Sequence, residues 1–235
     1  MTLEQVVPRV RVARRPRVAY AVGAAAAAAW VVLARLSIGP HDMAGMTVDP
    51  RTSAWAAMWL LMVAAMMWPL ATPMLDAVRR SAYPRWRGRL VLTCLATTTV
   101  LWLGFGVVAA SVARLLEVPE ATVAWQVAWL AVAIVLTRSA RRARVLWLCL
   151  TLPPLAPGGR RGLVSAVRAG LASWRRCAVL CGPVMTAMVV GHGLVLLACA
   201  SLAAWWEAAH PRRRHDPVPP LLLGAALAWL VVSRV

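Results

Sequence analysis

Ala54-Trp-Ala-Ala-Met58-Trp-Leu-Leu-Met62-Val-Ala-Ala-Met66-Met67-Trp-Pro69-Leu-Ala-Thr-Pro73-Met74-Leu75 carries no charge over 22 residues. A helix that crosses hydrocarbon needs about 20 predominantly apolar residues, and this run has them. The rest of the chain agrees with that reading. Of its 235 residues 61% are hydrophobic and 14% charged, and the mean hydropathy is +0.69. Soluble domains are about half apolar, with about a quarter of their residues charged. Too few charges are present to coat a globule of this size.

Working outward, similar runs occupy 18–36, 90–111, 121–137, 177–206 and 218–233, with Pro40, Pro50, Pro84, Pro119, Pro211 and Pro217 in the connections. The predicted fold class is all-α, a polytopic transmembrane helix bundle of about six spans. A basic segment at 1–17 precedes a single transmembrane domain at 18–235. The first run is longer than the apolar core of a signal peptide and reads as a retained helix.

The net charge is +18, and all 26 basic residues are Arg. In a soluble protein that balance would point to nucleic acid. Here the Arg residues cluster between apolar runs, as they do where they fix orientation, so no nucleic-acid partner is expected. With the N-terminus cytoplasmic, 20 of the 26 fall on the inner side of a six-span arrangement. The expectation is a multi-pass protein of the plasma (inner) membrane. One segment fits badly: His210-Pro-Arg-Arg-Arg-His-Asp216 is basic yet falls outside. A lost or re-entrant span would reverse it. Val145–Pro157, apolar but short and broken by Pro153 and Pro154, is the suspect.

Residues 160–176 place Leu163, Val164, Val167, Leu171 and Trp174 at helical spacing among Arg160, Arg161, Arg168, Arg175 and Arg176. This predicts a basic amphipathic helix on the inner surface, drawn to the anionic inner leaflet, or else a solvated loop helix. Trp55, Trp59, Trp68, Trp205 and Trp206 read as interfacial anchors near span ends. Cys94, Cys149, Cys177, Cys181 and Cys199 lie in or beside apolar runs, which argues against an extracellular disulfide framework.

The side chains with chemistry are soft. Met58, Met62 and Met66 recur every fourth residue, stacking three thioethers on one helical face with Met67 beside them. Thioether sulfur suits Cu(I) and needs no deprotonation in lipid. Pro69 and Pro73 remove backbone donors and open this helix toward its inner end. The fifth span reads Cys177-Ala-Val-Leu-Cys181-Gly-Pro-Val-Met185-Thr-Ala-Met188-Val-Val-Gly-His192. Steps of 4, 4, 3 and 4 put two thiols, two thioethers and an imidazole on one stripe. His41, Met43 and Met46 form a further metal-capturing group in the first outer loop. Each of these residues also has an ordinary reading, since Met is a flexible core filler and Cys a small hydrophobe. His192 is the hardest to read that way, because a polar ring deep in a span is costly. No phosphate loop, H-E-x-x-H or C-x-x-C occurs.

Met62-x-x-Ala65-Met66-Met67-x-Pro69-x-x-x-Pro73 resembles the signature of a bacterial family of predicted metal-binding integral membrane proteins of unknown function. Cys181 through Met185 to Glu207 is similar to that family's later block, and Trp102 and Phe105 fit its aromatic third helix. The resemblance covers about residues 54–233. The stretch 136–145 lacks the family's middle block, which marks the chain as a divergent member.

The expectation is therefore a metal-handling membrane protein, with copper(I) as the first candidate, either transporting the ion or delivering it to a membrane-protein partner. Spans two and five should pack together and match Met66 to Met188 in depth. A membrane oxidoreductase using a metal or the Cys177/Cys181 pair, and an accessory subunit without metal, are the alternatives. An enzyme is the less expected class, and an oligomer is compatible with everything above.

Overall fold

The computed structural model describes residues 17–38, 52–116, 118, 123–139, 154–190, 193–210 and 216–232. Among them the fold is all-helical. The helices are α1 (Arg17–Ile38), α2 (Ser53–Ser81), α3 (Arg87–Leu115), α4 (Val123–Thr137), α5 (Gly159–Met188), α6 (Leu194–Ala209) and α7 (Val218–Val232), with a 3-10 turn at Pro84–Trp86. Three stretches are long and apolar enough to cross a membrane: Val18–Ser37, Ser53–Ser81 and Pro84–Leu115. That is fewer than the six expected spans. Helices α4, α6 and α7 are apolar but shorter.

The directions follow from side-chain contacts. Helices α2 and α3 are antiparallel, because the Trp59 Nε1–H donates to Trp102 O at 2.9 Å and the Trp68 Nε1–H to Thr99 Oγ1 at 3.1 Å. Thr52 opens α2 by accepting from the Trp55 backbone N–H at 3.2 Å, an N-cap that satisfies one orphan donor. Helix α2 then runs through both Pro69 and Pro73 to Ser81, further than its apolar run. Each proline leaves the carbonyl four residues earlier, Ala65 O or Pro69 O, without its helix partner, and extra bonds reach neighbouring carbonyls of the same stretch: Thr72 Oγ1 donates to Trp68 O at 3.4 Å and the Trp205 Nε1–H to Met66 O at 3.2 Å.

Residues 160–176 are not a separate helix lying on a surface. They are the first half of the 30-residue α5, which stands alongside α3 and parallel to it. The buried face is small: Gly162, Ala166, Ala169 and Gly170 meet Leu90, Cys94, Thr97 and Thr98. Small residues let two backbones close in, and that contact outweighs a flat amphipathic pose. Val164, Val167 and Leu171 stay exposed between the Arg residues.

The expected span 177–206 is likewise two helices. Helix α5 ends at Met188 and α6 begins at Leu194. The chain reverses between them, since Cys177 in α5 touches Met67 while Trp205 near the end of α6 bonds to Met66. The C-terminal end of α6 has thus come back to the level of Cys177. Helix α4 begins beside the end of α5, its Trp125 Nε1–H donating to Thr186 O at 3.0 Å. Helix α7 starts at the end of α6, where the Trp206 Nε1–H donates to Asp216 Oδ2 at 2.9 Å. Successive helices alternate in direction throughout.

Three of the tryptophans read as interfacial anchors, Trp59, Trp68 and Trp205, bond from one helix to another. Trp59 is fully buried and stacks on Trp55 at 5.6 Å, and a Cβ on Gly106 would run into the Trp59 ring. The buried Trp59 indole finds its partner inside the bundle, at the Trp102 carbonyl. The doubtful run 145–157 is described only from Pro154. There the Tyr83 backbone N–H donates to Pro157 O at 2.8 Å, and Ala156 N to Ser165 Oγ at 3.1 Å.

Candidate metal centre

Met58, Met62, Met66 and Met67 from α2 and Cys181, Met185 and Met188 from α5 belong to one buried cluster, with Cys177 packed against it. The Met face of α2 is turned inward, every member 4% exposed or less. His41, Met43, Met46 and His192 lie outside the described residues.

Within the cluster three sulfurs come into contact. Cys177 Sγ is 3.6 Å from Met67 Sδ and 3.9 Å from Cys181 Sγ. The spacing of four residues places both thiols on the same face of α5, one turn apart, and α2 delivers the thioether from across the helix pair. Both thiols are free of disulfides. Metal–sulfur bonds of about 2.3 Å set donors about 3.8–4.0 Å apart around a tetrahedral or trigonal ion, so Cys177 stands from each of its two sulfur neighbours at close to the separation one ion requires. Two thiols and a thioether are a soft donor set of the kind that selects Cu(I). Among the described residues no group of three His, Cys, Asp or Glu gathers for a metal, so a three-donor set at this place has to count the thioether.

The register differs from the expected match of Met66 with Met188. Met67 faces Cys177, and Met188 lies 11 residues further along α5, about 16 Å at 1.5 Å per residue. Met188 therefore pairs in depth with the start of α2. Reading α5 as beginning at Cys177 misplaced its register, because the helix starts 18 residues earlier, at Gly159.

A cavity of about 130 Å³ adjoins the trio. It runs from Met67, Cys177 and Cys181 past Met74 to the polar group Thr98, Ser173, Arg176 and Glu207. Glu207 reads in sequence as the outer end of a span. The reversal after α5 returns it to the cavity that Arg176 also lines, and only the fold reveals that. His210 stays out of the cavity, its ring 4.4 Å from the Trp206 ring and its Nδ1 3.1 Å from Trp206 O. Trp102 and Met74 also wall the cavity. Neither stands out as a ligand in sequence, although the helical spacing from Thr98 to Trp102 would place both on one face.

The chain matches the family described as PpoB2, copper chaperone, over residues 56–232. It belongs to that family. No curated protein and no solved structure matches it. The PpoB2 match takes in every member of the sulfur trio and both cavity-lining charges, while the loop bearing His41, Met43 and Met46 precedes it. Copper handling thus has a footing in the family as well as in the donor set.

Proposed function

We propose that this protein is an integral membrane copper chaperone that holds Cu(I) between Met67, Cys177 and Cys181. The observation that carries the reading is the pair of sulfur contacts at 3.6 and 3.9 Å in a member of a copper chaperone family. Copper is the cargo here. One thiolate neutralises the charge of the ion, the second leaves the site with a single negative charge at a cavity that Arg176 also lines, and the thioether completes the soft shell without adding charge. The cavity reaches from the sulfurs toward the Arg-rich ends of the helices. The thioethers of Met58, Met62, Met185 and Met188 continue a soft lining the other way. This arrangement supports capture from the inner side and delivery toward the outer side. Anaerobic titration of the purified protein with Cu(I) against a chromophoric chelator should give about one tightly held ion per chain. Met67→Leu, which conserves volume, should weaken that binding about tenfold, or about 1.4 kcal/mol, with helicity unchanged. Uptake no greater than that of a detergent blank would refute the chaperone reading.

The membrane arrangement we infer has seven passes, with the N-terminus inside and the C-terminus outside. Three helices long enough to span and four shorter or more polar ones, alternating in direction, support it. So does charge. Returning 210–216 to the inner side raises the inner share to 22 of 26 Arg, leaving only Arg35, Arg51, Arg114 and Arg234 outside. Arg176 and Glu207 share one cavity wall, and Arg138 stands 13 residues beyond Trp125 just as Ser173 stands 13 before Thr186. Polar side chains therefore collect at one level, as they would at an inner membrane boundary. A cysteine introduced at Ala209 should be shielded from a membrane-impermeant thiol reagent in intact cells and labelled in inverted vesicles. Labelling from outside would restore the six-span topology.

A further inference from the structure

We infer that Trp102 is a specificity-determining residue of the copper site, its indole face contacting the ion as a cation–π partner. The inference rests on the Cu(I) reading of Met67, Cys177 and Cys181. Among the described residues Trp102 is the only aromatic one lining the cavity that those three sulfurs border. It is 0% exposed, and its ring is fixed by edge-on contacts, 5.3 Å to Phe105 and 6.5 Å to Trp174 between centroids. Its carbonyl accepts the Trp59 indole N–H.

Polar anchoring does not explain an indole at this position. The Trp102 Nε1–H is buried and has no hydrogen-bond partner. An unsatisfied buried donor costs free energy that a phenyl ring would avoid. Trp30, Trp55 and Trp174 share that condition, but none of them lines the cavity. What an indole offers over a phenyl ring here is its π-face, the strongest of the aromatic side chains toward a cation.

The chemistry of the ion completes the case. Three sulfurs satisfy Cu(I), while Zn(II) prefers four σ-donors in a tetrahedron. An aromatic wall keeps water out of the remaining position and supplies no fourth σ-donor. The site so built favours the monovalent soft ion over the divalent one.

The test compares wild type, Trp102→Phe and Trp102→Leu in Cu(I) competition titrations and near-ultraviolet difference spectra, with Cys177→Ser/Cys181→Ser in parallel. Trp102→Leu should bind Cu(I) about tenfold more weakly and lose the part of the copper-induced indole difference spectrum that the wild type shows. Trp102→Phe should fall between, about threefold weaker, with the indole signal equally lost. A purely packing role would leave the affinity of the Phe variant and the copper-induced spectrum at their wild-type values, and that result overturns the proposal. Should the Leu variant not fold, the Phe variant decides alone by the same two readouts. Copper binding that survives the double cysteine change would instead refute the underlying site.

Discussion

Replacing both Cys177 and Cys181 by Ser should abolish tight Cu(I) binding while the helices stay folded. A serine hydroxyl keeps the shape of the thiol but is a hard donor that does not ionise, so the ion loses both soft anionic ligands at once. One thioether, Met67, then remains from the trio. Structural zinc sites with four ligands bind with about 10–16 kcal/mol, about 3 kcal/mol for each ligand, and an anionic thiolate is taken at that figure, above the neutral thioether. Losing two costs about 6 kcal/mol, a drop of about four orders of magnitude in affinity. Either single change should cost about half that free energy. Chelator competition in the absence of oxygen measures the affinity, and circular dichroism checks the fold. A double variant that binds copper as tightly as wild type would move the site to the thioether-only face of Met58, Met62, Met185 and Met188.

Much of this site is legible in the sequence because helical spacing is local. Steps of four residues set Met58, Met62 and Met66 on one face, and Cys177 and Cys181 on another, without knowledge of the fold. Which residues meet across helices is not local. The contact of Met67 with Cys177 depends on where α5 begins, and the small face Gly162, Ala166, Ala169 and Gly170 decides that by holding the segment upright against α3. Hydropathy hides such a face, since its Arg residues dominate the average. The break after Met188 is hidden for the opposite reason. Apolar residues continue on both sides, so 177–206 reads as one span although the chain turns back within it. On the seven-pass arrangement proposed above, Glu207 changes sides as a consequence. In sequence, only the poor fit of 210–216 to the charge rule hints at such a turn.

Gly170→Leu should damage both the fold and the sulfur trio. A Cβ at Gly170 would stand 2.8 Å from the backbone oxygen of Cys94 and 2.9 Å from Thr97 Cβ. The first of these is main chain, which cannot swing aside as a side chain can, so α3 and α5 must move apart. Overpacking of this kind costs about 1–3 kcal/mol, and the larger figure applies where backbone is displaced. Thr98 adds to the loss, because its hydroxyl bridges Cys94 O at 3.0 Å and Gly170 O at 3.4 Å across the same contact. The damage should also reach the metal centre. Thr98 and Trp102 of α3 wall the cavity opposite Ser173, Arg176 and Cys177 of α5, so separating the helices widens it and displaces Cys177 from Met67. Gly170→Ala should act in the same direction but less. Gly104→Ala serves as the control, since a Cβ there meets nothing within 4 Å, and helix propensity alone predicts a gain of up to about 1 kcal/mol. Thermal denaturation in detergent, run beside Cu(I) titration, should show the Leu variant losing both stability and affinity while the control keeps both. Wild-type melting of Gly170→Leu would mean that α3 and α5 do not close on this glycine, and the upright placement of residues 160–176 would fall with it.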